Sequence, residues 1–286
     1  MPKPGHDLIE IGPVEKYLLR ETNKGPMVAA LIDPEDFSPK QAAYTAVKAI
    51  ESGVSLILVG GSTLASQGRL DIVVRSIKSH IKPGSGHRKS HQVPVVLFPG
   101  NITGVSRYAD AILFSSLLNS TNPYFIIGAQ ALGAVEVHKA GIESIPMAYL
   151  VFGNSSATSF IGQVNSLPVS KPNLAVIYAL AAKFLGMRTL YLEAGSGAGE
   201  PIPQETVGAV RKAYDGTLIV GGGITSADAA ARASRAGADL LVVGNLLQSS
   251  GYEATLRQIV SASRLCRPPG AGKGSARLVD ATGELH

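Results

Sequence analysis

Eight short runs rich in valine, isoleucine and leucine recur along the chain, separated by stretches whose apolar residues fall at helical spacing. The runs cover residues 27–33 (MVAALID), 55–61 (SLILVGG), 93–100 (VPVVLFPG), 111–118 (AILFSSLL), 145–152 (IPMAYLVF), 189–195 (TLYLEAG), 217–224 (TLIVGGGI) and 239–245 (DLLVVGN). Continuous apolar runs of this length suit strands buried on both faces, which is the condition of a parallel sheet covered by helices. Between them, 38–53, 173–186, 203–216 and 226–238 carry the helical period. Eight such units predict a closed (β/α)8 TIM barrel, with an open doubly wound sheet as the competing arrangement. Only Asn101 to Asp110 separates the third and fourth strands, too little for an ordinary helix, so the third outer helix is expected to be reduced or missing.

The length of 286 residues accommodates one barrel, assigned to residues 1–264, with 265–286 as a flexible C-terminal tail that lacks apolar period. A composition 45% hydrophobic and 16% charged describes a globular chain. The net charge of +5 suits an anionic partner, but its basic residues are scattered and no aromatic-interleaved stripe argues for nucleic acid. An anionic metabolite or peripheral contact with a membrane surface fits better. The basic 82–92 segment, with His87, Arg88 and Lys89, reads as a solvated loop. One cysteine, Cys266, excludes an internal disulfide, and the N-terminus lacks the apolar stretch of a signal peptide, so a cytoplasmic protein is expected. The longest apolar candidate, 173–187, contains Lys183 and reads as a core helix rather than a membrane span.

In a barrel of this kind chemistry sits at the carboxyl ends of the strands. The seventh and eighth runs end in GGG (221–223) and in Gly244–Asn245, each expected to lead into a helix, which suits a phosphate or a simple tight turn. Asp33 ends the first run before Pro34; it either caps that turn or, with Ser62 from the end of the second run, holds Mg2+ that takes its other ligands from substrate phosphates. Glu193 ends the sixth run, where it acts as a base toward a hydroxylated ligand or as a paired structural acid; Tyr191, two residues earlier, shares its face. The six histidines show no zinc spacing, and no nucleophile elbow, Walker loop or dinucleotide fingerprint is present.

Taken in order, ALIDPED, VGGST, VVLFPGN, YLEAGSGAGEP, VGGGITS and VVGN resemble the geranylgeranylglyceryl phosphate synthase family, which includes the related heptaprenylglyceryl phosphate synthases. The resemblance spans about residues 27–260 and is closer to the long archaeal-type group. It implies Mg2+-dependent transfer of a prenyl group from geranylgeranyl diphosphate to the 3-hydroxyl of sn-glycerol 1-phosphate, in a dimer or hexamer. It further implies that Tyr191, Leu192, Glu193, Ala194, Gly195, Ser196, Gly197, Gly222, Gly223, Gly244 and Asn245 hold glycerol 1-phosphate, and that Asp33 and Ser62 hold Mg2+. Glu193 and Tyr191 are the expected catalytic pair. Thr225 departs from the family, in which many members carry a basic residue after GGGI. A longer prenyl donor, or a phosphate-binding isomerase or lyase, are the alternatives.

Overall fold

A computed structural model describes residues 11–61, 66–81, 93–153, 156–195 and 197–266. Ser62, Ser196, the 82–92 segment and the tail beyond residue 266 lie outside the described residues. Eight parallel strands close into a barrel in sequence order. They are β1 (Met27–Ile32), β2 (Leu56–Val59), β3 (Val95–Leu97), β4 (Ala111–Leu117), β5 (Glu143–Val151), β6 (Thr189–Glu193), β7 (Thr217–Gly221) and β8 (Leu240–Val243). Closure is direct, because β1 pairs with β2 on one side and with β8 on the other.

Alternation along each strand sorts the core into two layers. Met27, Ala29, Leu56, Leu58, Val96, Leu113, Met147, Tyr191, Ile219 and Val242 fill the barrel. Their neighbours Val28, Ala30, Ile57, Leu97, Leu190, Leu192, Val220 and Leu241 face the outer helices. Those helices are α2 (Pro39–Glu51), α3 (Gln67–His80), α4 (Ala129–Ala140), the short α5 (Ala157–Ile161), α6 (Pro172–Phe184), α7 (Gln204–Ala213), α8 (Ala227–Ala236) and α9 (Tyr252–Leu265), with α1 (Pro13–Lys24) preceding β1. A π turn, Tyr124–Gly128, leads into α4. Ser38, Ser66, Ser156 and Ser226 each cap the helix that follows by accepting a backbone N–H.

The expected gap is present: residues 98–110, between β3 and β4, form turns and no helix. Asn101 organises this connection, its side-chain oxygen accepting the Thr103 N–H at 2.9 Å and its carbonyl accepting the Gly104 N–H at 3.1 Å. Two expectations change. The 173–187 run is not an enclosed core helix: α6 buries Ala175, Ala179 and Ala182 against the barrel and turns Leu174, Ile177 and Phe184 outward. Small residues on its inner face let it sit close to the sheet, and the bulky ones are left on the far side. β8 leads first into a 3-10 turn, Asn245–Gln248, and the expected helix, α9, begins only at Tyr252.

The amino-terminal mouth of the barrel is sealed by α1, whose Val14 and Leu18 join the interior cluster. The helix spans from β5 to β2. Glu143, at the start of β5, caps its N-terminus by accepting the Val14 and Glu15 N–H groups at 2.6 and 2.8 Å, while the Tyr17 hydroxyl donates to the Ser55 carbonyl at 2.8 Å. Glu15 is itself buried and takes a two-pronged bond from Arg188, at 2.7 and 2.8 Å. Removing Arg188 leaves that carboxylate buried without its cation. Arg188→Ala is therefore expected to cost about 2–3 kcal/mol in chemical denaturation while leaving the opposite, carboxyl-terminal face of the barrel unaltered. Unchanged stability would mean that the ion pair contributes nothing to holding the seal.

Candidate active site at the carboxyl end of the barrel

Tyr191 and Glu193 both project inward from β6, one above the other, as period-two geometry requires. Glu193 is buried at the strand's end, and its carboxylate accepts the Gly195 N–H at 2.7 Å. The hydroxyls of Tyr191 and Tyr149 donate to the same carboxylate. Burial raises the Glu193 pKa above the usual carboxylate range, and these three donors only partly oppose it. Both tyrosines are pushed well above the ordinary phenol value, first by burial and then by the negative charge of Glu193.

Tyr149 was not singled out by residue pattern. It stands opposite Tyr191 in the β5–β6 register, their rings edge to face at 5.1 Å. Phe98 stacks on Tyr191 at 5.2 Å, completing an aromatic layer under the carboxylate. Of the two tyrosines, Tyr149 lines the cleft; Tyr191 is fully buried and reaches it only through Glu193. Thr158, on α5, hydrogen-bonds the Tyr149 hydroxyl. Register was the available signal, since a tyrosine beside Tyr191 on the adjacent inward position faces the same charge.

The glycines of β7 serve this cluster. A Cβ on Gly221 would collide with the Tyr191 hydroxyl, and one on Gly222, which has φ +78°, would approach Glu193 Oε1 to 2.6 Å. Gly223, at φ +70°, abuts the backbone of Glu200 and Pro201. The loops after β6 and β8 meet across this end: a Cβ on Gly197 would lie 3.8 Å from Asn245 Nδ2. The Ala194 N–H is committed to the Gly221 carbonyl, and Leu192 faces the helical layer, so its side chain belongs to the outer core. Gly244 and Asn245 line the cleft.

Asp33 lines the same cleft from the end of β1. Its Oδ1 accepts the Glu35 N–H at 2.9 Å, so the turn-capping reading holds for one oxygen. Gly61, at the end of β2, lies so close to the carboxylate that any Cβ would strike Oδ2. Burial raises the Asp33 pKa, with Asp36 and Glu35 adding to the effect. Asp36 also lines the cleft and accepts a bond from Gln248 at 2.7 Å. Among the described residues no three His, Cys, Asp or Glu side chains converge as a metal cage. A partly desolvated carboxylate with a second acid nearby suits a hard cation that keeps its waters and takes oxygens from a ligand.

From Glu193 the cleft continues sideways into an apolar groove, opened where the third helix is missing. Phe98, Ile102, Val105, Ile112 and Phe114 form one wall, and Phe125, Ala129, Gly133 and Val137 the other. A Cβ on Gly133 would meet nothing within 4 Å, so the groove owes part of its width to that residue.

These features define a TIM-barrel protein whose carboxyl-end site joins a small polar pocket to an elongated apolar one. The chain belongs to the PcrB family, whose model matches residues 21–263. It is 48% identical over 244 residues to the geranylgeranylglyceryl phosphate synthase of Thermococcus gammatolerans, covering 85% of this chain and 93% of that protein. Identity to the synthase of the same name from Cenarchaeum symbiosum is 49% over 253 residues, covering 88% and 98%. Among solved structures, (S)-3-O-geranylgeranylglyceryl phosphate synthase from Thermoplasma acidophilum, in complex with its substrate sn-glycerol-1-phosphate, superposes with a TM-score of 0.82 at 34% identity, covering 90% of this chain and all of that one.

A carboxyl whose folded pKa is raised binds its proton more tightly in the folded state, so its effect on stability becomes unfavourable as pH rises through and above the ordinary carboxylate range. Glu193→Gln keeps the shape and removes the charge. The variant is expected to melt roughly 2–4 °C higher than the parent at neutral pH, the gap closing in acid where both side chains are neutral. A lower melting temperature at neutral pH would show that the charged form is fully compensated.

Proposed function

We propose that this protein transfers a geranylgeranyl group from geranylgeranyl diphosphate to the 3-hydroxyl of sn-glycerol 1-phosphate, forming an ether bond and releasing diphosphate. The observation that carries this reading is the position of the Glu193 carboxylate, where the polar pocket meets the apolar groove. Relatives at 48–49% identity bear the name of that synthase, and the Thermoplasma acidophilum structure holds the glycerol substrate.

In the reaction the glycerol 3-oxygen bonds to C1 of the prenyl chain as the C1–O bond to diphosphate breaks, the electron pair leaving with diphosphate. Glu193, in its ionised form, accepts the hydroxyl proton as the oxygen becomes acidic. The Tyr149 and Tyr191 hydroxyls and the Gly195 N–H fix the carboxylate's orientation. Gly222, Gly223, Gly244 and Asn245 present backbone and amide donors toward the glycerol phosphate, with Ala194, Gly195 and Gly197 shaping the loop beside it. Thr225 leaves that contact without a cation. Asp33, with Ser62 as a proposed partner, would hold Mg2+, which when bound supports departure of the diphosphate. The groove takes the C20 tail.

We further assign the protein to the cytoplasm and to a homo-oligomer. No helix among the described residues is long and apolar enough to cross a membrane, and Cys266 is a free thiol. Ile177, Phe184 and Leu185 are 62%, 80% and 68% exposed along one side of α6, the kind of surface a second copy covers. In Ile177→Glu/Phe184→Glu, light scattering is expected to report a smaller assembly than the parent; an unchanged mass would exclude α6 as the interface.

Turnover is tested with Mg2+, labelled glycerol 1-phosphate and prenyl diphosphates of several lengths, the C20 donor being preferred. Asp33→Ala is expected to abolish Mg2+-dependent turnover, and Glu193→Gln to lower kcat by at least about a hundredfold. Because ionised Glu193 is the active form and its pKa is raised, kcat/KM of the parent should fall in acid with a midpoint above the ordinary glutamate range. Residual activity of the Gln variant should lack that limb. Failure to label any butanol-extractable product with all donors would overturn the assignment.

A further inference from the structure

Helix α4 is apolar on two sides. Its inner face, Ala129, Gly133 and Val137, walls the groove. Its outer face carries Leu132 and Val135, 62% and 55% exposed, and the π turn before it leaves Ile127 63% exposed. Leu132 and Val135 share that outer face with the exposed Glu136–Lys139 ion pair, the mixed apolar and charged character of a helix that lies at an interface. The remaining borders of the groove are similar. Ile102, in the helix-free connection, is 43% exposed, and Phe160 on α5, next to the groove residue Ile161, is 85% exposed. Five large apolar side chains thus surround an apolar slot.

Beyond the Ile102–Val105 wall the chemistry changes sign. The guanidinium groups of Arg75 and Arg107 both lie over the ring of Tyr108, at 5.1 and 5.2 Å from its centre. Both arginines are exposed. Among the described residues no carboxylate lies within ion-pair distance of either. Gln67 of α3 ties this region to the groove by donating to the Val105 carbonyl at 2.9 Å. Asp71 is near enough for its charge to act on Arg107, and the two cations on one tyrosine ring, beside apolar side chains, match the phosphates and the underlying acyl region of an anionic lipid surface.

We infer that the open flank of the groove, from Arg75 and Arg107 across Ile102 to the outer face of α4, docks the protein on an anionic lipid bilayer. The occupant is a bilayer and not a second copy, because Arg75 and Arg107 suit lipid phosphates and because, on the prenyl-transfer reading, a protein seated here would close the apolar path from the Glu193 cleft. A bilayer leaves that path open to a chain sliding in or out. Its use for delivering a prenyl donor and discharging the product, and the exclusion of a second copy by the open path, rest on the prenyl-transfer reading; the match of the flank to a lipid surface does not.

The test is flotation of the full chain with phosphatidylglycerol or phosphatidylcholine vesicles, in parallel with light scattering and turnover on detergent-dispersed donor. The parent is expected to float with phosphatidylglycerol vesicles at low salt and to be released at high salt. Leu132→Glu/Val135→Glu and Arg75→Glu/Arg107→Glu should each lose about tenfold in vesicle partitioning, with unchanged assembly mass and unchanged kcat in detergent. The idea is overturned if the parent stays in solution with phosphatidylglycerol, or if Leu132→Glu/Val135→Glu floats as the parent does. It is equally overturned if that variant changes the assembly mass, which would make the face a contact between copies. A parent that floats but transfers no prenyl group would sink the enzymatic reading alone, and one that turns over without floating would sink only the docking face.

Discussion

A carboxylate inside a barrel needs donors and space, and much of the upper half of this molecule is arranged to supply both to Glu193. Two tyrosines from adjacent strands and one backbone N–H serve the charge. Phe98 and Tyr149 pack against the Tyr191 ring, and Gly221 and Gly222 vacate the volume that the Tyr191 hydroxyl and Glu193 Oε1 occupy. The carboxylate is desolvated yet held in one orientation, which raises its proton affinity and fixes the direction in which it points.

The two ends of the barrel treat charge differently. At the amino-terminal end Glu143 caps α1, Arg188 neutralises Glu15, and Asp239 accepts the Leu218 N–H while pairing with Arg211 at 2.8 Å. Glu15 and Asp239 thus meet cations, and Glu143 meets two backbone donors. At the carboxyl end Asp33 and Glu193 both have raised pKa values, because burial outweighs their hydrogen bonds. Among the described residues, the two carboxyls whose pKa burial raises both lie at the end where strands open into loops, the end at which a barrel of this kind carries its chemistry.

Loss of one helix links the fold to the ligand class. With the third connection reduced to turns organised by Asn101, the space between those turns and α4 becomes a groove that begins at the carboxylate. An intact outer ring would have filled it with core. The omission leaves an apolar groove that a long apolar chain could enter, and Gly133 puts no side chain into it from the other side.

Eight strands, helices α2, α6, α7 and α8 and the missing third helix were legible in the chain, because apolar period and connection length are local properties that closure of the sheet does not alter. Glu193 was legible too, as a lone acid at the end of a buried run. Tyr149 was not: its role depends on β5–β6 register, and nothing within five residues of it announces a partner forty-four positions away. The same holds for the glycines after β7, whose run suggested a phosphate turn while the packing shows Gly221 and Gly222 making room for side chains of the neighbouring strand. Helix α6 was misjudged as enclosed because composition counts apolar residues without saying which face meets the sheet. The sequence by itself determined the periodicities and hence the barrel; only the tertiary structure decided which buried groups share a charge, because that is set by register and closure between segments far apart in the chain.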